Sequence, residues 1–253
     1  MNLTHLFSTM THSVGNSLAR AAHRVAACAL GLMIAGSLAG SAALAIDVVD
    51  VTIDSSKMTT GFMNVFELNN TYVFSSGWAI ADLNATFPTS TTVNFTPNTI
   101  GDPAPFWYTP SGGPGASGNK NMEANLYSQF TDGEVSGKLV NFKGNVTGYT
   151  LEPGWSFKAF IRDFAPDYSS VVETSTPITG TGSFDFGVLI SADPSRHQQY
   201  GLQMYGPCVW ATDIASKGSV TVSAVPEPSS LALLAACGGV LAFTARRRFG
   251  RRA

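Results

Sequence analysis

Residues 155–162 read Trp-Ser-Phe-Lys-Ala-Phe-Ile-Arg. Apolar side chains alternate around Lys158 and Arg162, the period of a strand with one face on a core and the other toward water. Similar short runs recur on both sides. Upstream lie 46–53, 62–68, 72–80, 92–95, 122–127 and 138–142, and downstream 183–190, 199–204, 209–211 and 219–223. Asn, Ser, Thr and Gly separate them, and no 3.6-residue stripe is evident. About ten short strands between turn residues predict an all-β fold, a single β-sandwich or jelly roll. The last run leads straight into Val225 and Pro226, which puts the exit of the chain at a sheet edge with almost no linker.

Charge narrows the partners. Residues 46–224 hold eight Lys and Arg against sixteen Asp and Glu, a net −8 that the whole-chain value of −2 conceals. The two ends carry the other seven bases. An acidic domain is a poor match for nucleic acid or an anionic membrane, and suits calcium, a neutral glycan or simple solubility. Of three cysteines only Cys208 falls in this span, so no internal disulfide is available there. Its neighbours Tyr205, Val209 and Trp210 read as those of a buried, inert thiol. The Asn-x-Thr triplets at Asn69, Asn84, Asn94 and Asn145 read as turn chemistry and strand faces.

Catalytic signals are sparse. The span has one histidine, His197, which reads as a solvated loop side chain, and one histidine cannot build a zinc site. No nucleophile elbow, His-Glu-x-x-His, Cys-x-x-Cys or phosphate loop appears. A glycosidase needs only two carboxylates, however. The best-placed pair is Asp163 and Asp167, which flank Phe164-Ala165-Pro166 at a strand exit. Two readings are open for it: candidate calcium ligands joined by backbone carbonyls, or a turn capped by its own aspartate with Arg162 as partner.

The stretch 101–121, GDPAPFWYTPSGGPGASGNKN, interrupts the strand pattern. Long loops in compact domains are usually functional or disordered. Phe106, Trp107 and Tyr108 stand together here. Either they form a stacking surface for sugar rings, as candidate ligand-binding residues, or they tuck under the loop and pin it.

The two ends read as addresses. Residues 1–24 are weakly basic, 25–40 apolar, and Ser41-Ala42-Ala43-Leu44-Ala45 supplies a small-x-small site for signal peptidase; 1–45 is expected to be a signal peptide with a helical apolar region. At the other end Val225, Pro226, Glu227 and Pro228 precede an uncharged run, 231–245, and the cluster Arg246, Arg247, Arg248, Arg251 and Arg252. The run is about 22 Å long as a helix, enough for a marginal transmembrane helix, and the arginines should stay cytoplasmic. This order of Pro-Glu-Pro motif, single helix and arginine cluster resembles the PEP-CTERM sorting tail of Gram-negative exported proteins. The resemblance implies processing by exosortase, a membrane-embedded cysteine protease. It implies transient anchoring in the inner membrane by residues 225–253, then residence at the cell surface or in an extracellular polysaccharide matrix. Through residues 118–124, 160–170 and 199–203 the block 119–213 also resembles the ectodomains often found ahead of such tails, which look like carbohydrate-binding-module jelly rolls, a resemblance that implies a fold and no chemistry. Two functions are therefore expected as alternatives: a non-enzymatic glycan-binding or structural module of the matrix, or a carbohydrate-active enzyme using paired carboxylates.

Overall fold

The computed structural model describes residues 46–225. The signal segment 1–45, Pro226, Glu227, Pro228, the apolar run 231–245 and the five terminal arginines lie outside the described residues. Among the described residues the chain forms β1 (Val48–Val51), β2 (Thr60–Glu67), β3 (Tyr72–Trp78), β4 (Ala85–Thr89), β5 (Thr92–Phe95), β6 (Tyr108–Thr109), β7 (Ser117–Gly118), β8 (Lys120–Gln129), β9 (Leu139–Tyr149), β10 (Ser156–Phe164), β11 (Val171–Ile178), β12 (Gly182–Leu189), β13 (His197–Pro207) and β14 (Val220–Ser223). Two 3₁₀ turns, Ile80–Leu83 and Ala211–Ser216, are the only helical pieces among them.

The strands make a β-sandwich. Sheet I runs β12-β9-β14-β5-β4, with β1 lying parallel to the first half of β9 on the side that β14 takes further along. Sheet II runs β11-β10-β13-β8-β2-β3, antiparallel throughout. The period of two explains how they meet. In β10, Phe157, Ala159 and Ile161 point inward; β13 adds Tyr200, Leu202 and Met204, and β8 adds Met122, Ala124 and Leu126. Sheet I answers with Val93, Phe95, Val140, Phe142, Val146, Val220 and Val222. Phe95 meets Phe157 edge-on at 5.2 Å, and Phe142 meets Tyr200 at 5.3 Å. Each such side chain contributes about 1.5–3 kcal/mol by leaving water, and the edge-on ring pairs add a little more.

Three expectations change. Strands β4 and β11 escape the sequence pattern because each carries a proline, Pro88 and Pro177, and each lies at the outside of its sheet, where a missing N–H is tolerated. Residues 209–211 give one isolated bridge, Thr99 to Val209, and then a 3₁₀ turn in place of a strand. Most consequentially, β14 is not at an edge. It is hydrogen-bonded to β5 on one side and β9 on the other, so the chain leaves the sandwich from inside a sheet. Ala224 and Val225 extend the hold through Ala224 N–H to Thr91 O and Val225 N–H to Thr52 Oγ1.

Candidate functional site

The 101–121 loop is pinned by its own aromatics. Tyr108 is fully buried. Its hydroxyl lies 2.8 Å from Ile100 O and 3.0 Å from Val209 O and accepts the Ile100 N–H, while burial pushes its pKa up to about 12. Trp107 is half-buried and packs edge-on against Phe74 and Phe106, and its carbonyl accepts from the Cys208 thiol at 3.2 Å. Burial raises the pKa of that thiol, which keeps it protonated. Phe106 is 43% exposed, but the Lys120 ammonium sits 4.2 Å from its ring centre and pairs with Glu67 at 3.0 Å. Of the three rings Tyr108 is sealed, Trp107 is half-buried and only Phe106 is exposed, so the loop does not present a stacking surface of three.

Asp163 and Asp167 have separate partners. Asp163 is buried; Arg196 Nε donates to it at 2.9 Å, Gln198 Nε2 at 3.0 Å and the Ser191 N–H at 3.4 Å. Asp167 accepts the N–H and hydroxyl of Ser169, closing a turn with its own backbone, and these bonds hold its pKa below the usual carboxylate range. The nearby Pro166 carbonyl is taken by His197. The donor set therefore does not fit calcium: both oxygens of Asp163 accept from protein donors, one of them the Arg196 guanidinium, and Asp167 Oδ1 is taken by Ser169. Among the described residues no three metal-ligating side chains cluster. Nor is Arg162 the partner: strand alternation sends it to the opposite face from Asp163.

That opposite face is where the structure concentrates its polar side chains. On the outer side of sheet II, Asn125 of β8 is 1% exposed. Its amide N–H groups reach Glu123 O at 3.0 Å and Glu123 Oε1 at 3.3 Å, and its oxygen accepts from Gln203 Nε2 at 2.8 Å and Arg162 Nη1 at 3.0 Å. Glu123 also accepts from Asn64 of β2 at 2.7 Å. At the far side Glu173 of β11 accepts from Arg162 at 2.8 Å and Lys158 at 2.6 Å. Burial pushes Glu173 up, but bonds and charge from Lys158 and Arg162 outweigh that and leave its pKa below the ordinary value. One connected set of side chains thus spans five strands, β11-β10-β13-β8-β2. Burying such side chains is costly unless they find partners, and here each of them makes at least one hydrogen bond within the set.

Rings frame the set. Phe160 is fully buried yet belongs to this outer face, with the Arg162 guanidinium 3.9 Å above its centre. It lies across Gly201, its cross-strand neighbour, where an added Cβ would come within 2.9 Å of the ring and 2.3 Å of Leu126 O. Only glycine leaves room for that ring to lie flat. At one end of the face Phe66 packs edge-on against Tyr72 and Tyr205, and the Tyr205 hydroxyl donates to Asn70. The carbonyl oxygen of Gln203, one oxygen of Glu123 and two N–H groups of Lys158 have no partner among the described residues. These are donors and acceptors of the kind sugar hydroxyls need.

Residues 224–248 match the PEP-CTERM protein-sorting motif. The chain carries a sorting signal. PEP-CTERM residues begin one position after β14 ends, so the sandwich and the signal are contiguous. No curated protein matches the sequence. Among solved structures, the chain is similar to β-sandwich carbohydrate-binding modules described for promiscuous specificity, at 15% identity over 64% of this chain and 70% of that one, with a TM-score of 0.30. It is similar to TmCBM61 in complex with β-1,4-galactotriose, at 13% identity over 65% and 82%, with a TM-score of 0.26. The CBM22-2 xylan-binding domain of Paenibacillus barcinonensis Xyn10C follows at 12% identity over 43% and 78%, with a TM-score of 0.25.

The sequence singled out the loop and the aspartates, and it missed the outer face. A signal existed: Asn64, Glu123, Asn125, Lys158, Arg162 and Gln203 all occupy the polar positions of alternating strands. Their convergence depends on strand order, which alternation does not encode.

Proposed function

We propose that the protein is an exported, exosortase-processed β-sandwich that binds a neutral polysaccharide of the extracellular matrix on the outer face of sheet II, without turning it over. The side-chain network through Asn125 carries this reading. Lys158 and Arg162 balance Glu123 and Glu173, so the face is locally neutral within a domain of net charge −8, which disfavours a polyanion. Its polar groups are held by one another and its rings are fixed, so little side-chain freedom is lost on binding. Paired-carboxylate catalysis has less support. Glu123 and Glu173 stand three strand spacings apart, roughly 14 Å across the sheet, against the roughly 6.5–9.5 Å of an inverting pair.

Two measurements test the reading. Native gels containing soluble xylan, mixed-linkage glucan or galactan should retard the protein, with Asn125→Ala abolishing the retardation and no reducing sugar released. Retardation by none of the three, or release of sugar from any, would sink it. For sorting, the intact mass of protein from the host's membrane and medium fractions should end near Val225 to Pro228 and depend on Glu227. A mass that still includes Arg251 and Arg252 in both fractions would make the tail a permanent anchor.

A further inference from the structure

We propose that Tyr168 is a further binding element of the same face, an aromatic platform for the apolar side of a sugar ring, and that a protonated His197 locks it in place, so that polysaccharide retention falls when His197 loses its proton. This rests on the glycan-binding reading above. His197 opens β13 and is the cross-strand neighbour of Phe164, so the pair forms the last row of the outer face, opposite the Tyr205–Phe66–Tyr72 end. The Tyr168 ring lies parallel to the imidazole, 4.5 Å away and tilted by 10°, and contacts Phe164 at 5.4 Å. It thus stands one ring-thickness above the floor and is 52% exposed.

Two observations mark this ring as built for a purpose beyond closing a turn. Tyr168 has φ of +58°, in the left-handed region that Gly or Asn fills most readily. A turn alone would be served better by either. A bulky aromatic held there at the cost of strain indicates that the side chain is what the position requires. The strain is sustained by Tyr168 N–H to Ala165 O and Ala165 N–H to Ser170 O, both 2.9 Å, and by the Asp167–Ser169 turn.

The second observation is the imidazole. Nδ1 lies 2.7 Å from Asp132 Oδ1, and Nε2 lies 3.1 Å from the Pro166 carbonyl oxygen. Both partners are acceptors only, so both ring nitrogens must carry a proton: the arrangement fits the imidazolium. The neutral ring has one N–H and keeps one of the two bonds, which unties either the 165–170 turn or the ring itself. The Asp132 hydrogen bond, then the Pro166 carbonyl, raise the His197 pKa above its ordinary 6.5. With a raised folded value the lock is complete below 6.5 and is lost as pH climbs through that raised value. Asp132 faces the ring from the β8–β9 connection and Tyr168 from the β10–β11 turn; of the charged groups close by in sequence, Asp167 is bonded to Ser169 and Asp193 to Ser195. Arg196, the nearest base in sequence, is already paired with Asp163.

The test uses the full chain in a detergent without sugar head groups, run in the three polysaccharide gels at constant ionic strength from pH 5.5 to 8.5. Wild-type retention should fall several-fold across that range. Tyr168→Ala should lower it about five- to tenfold at pH 5.5, the scale of one aromatic contact, while Tyr168→Phe keeps it. His197→Gln should be weak and flat with pH. Loss of retention in Asn125→Ala but not in Tyr168→Ala overturns the platform and leaves the proposed function standing. Tyr168-dependent retention that does not vary with pH overturns the lock. Absence of retention in wild type overturns both. Should His197→Gln fail to fold, NMR titration of the wild-type imidazole decides the lock: a midpoint above 6.5 that moves the Tyr168 ring resonances in concert supports it, and a midpoint at or below 6.5 refutes it.

Discussion

The two outer faces of the sandwich share one sequence pattern and differ in what they do with it. On sheet I the outward residues are short and bond in local pairs: Thr221 to Asn94 at 2.9 Å, Thr92 to Ser223 at 3.1 Å, Ser183 to Asn145 at 3.2 Å. Its charges also pair locally, Lys143 with Asp50 at 2.9 Å and Asp185 at 4.0 Å, and both carboxylates are exposed. On sheet II the outward residues are long, several are buried, and their bonds chain across five strands around Phe160. The first face is an ordinary wetted exterior; the second is organised like a site. Strand alternation marks both sets of positions as polar, and only the length and burial of the side chains tell them apart.

That contrast can be broken at graded cost. Phe142→Ala, in the core both sheets share, should destabilise by about 3–5 kcal/mol and erase any difference between faces; thermal unfolding gives the value. Asn125→Ala should cost about 1–3 kcal/mol, because Arg162 and Gln203 lose the oxygen they donate to. If it costs nothing, the network is decoration. Acid should act on sheet II through Glu173, whose pKa is depressed. The stability it provides is complete above the ordinary 4.5 and is lost as pH falls through the lower folded value. Glu173→Gln should therefore flatten the acid limb of the unfolding curve. Smallest of all, Thr221→Val on sheet I should shift stability by less than about 0.5 kcal/mol and leave polysaccharide retention untouched.

The class of fold was legible because period-two runs such as 155–162 have a single structural use. Core identities followed: Phe157, Ala159 and Ile161 sit where alternation puts them. Strand order was not legible, since β8 pairs with β13 some eighty residues on, and no local pattern specifies that. The candidate site inherits this limit. Trp107 and Tyr108 looked like a binding cluster because composition cannot separate a ring that faces solvent from one that holds a loop down. His197 looked solvated because its partners, Asp132 and the Pro166 carbonyl, are 65 and 31 residues away. The PEP-CTERM motif was readable because it is one contiguous stretch, 224–248, whose match does not depend on strand order.

The placement of β14 has a mechanical consequence. The segment that links the sandwich to its sorting signal is bonded along both sides, to β5 and to β9, and antiparallel to each. Tension applied at Val225 runs along the strand axis, so it loads both ladders in shear, and their hydrogen bonds must yield together. A terminal edge strand pulled sideways would unzip one bond at a time. Under the proposed function, drag on bound polymer while the tail is anchored would be borne by the strongest direction of sheet I.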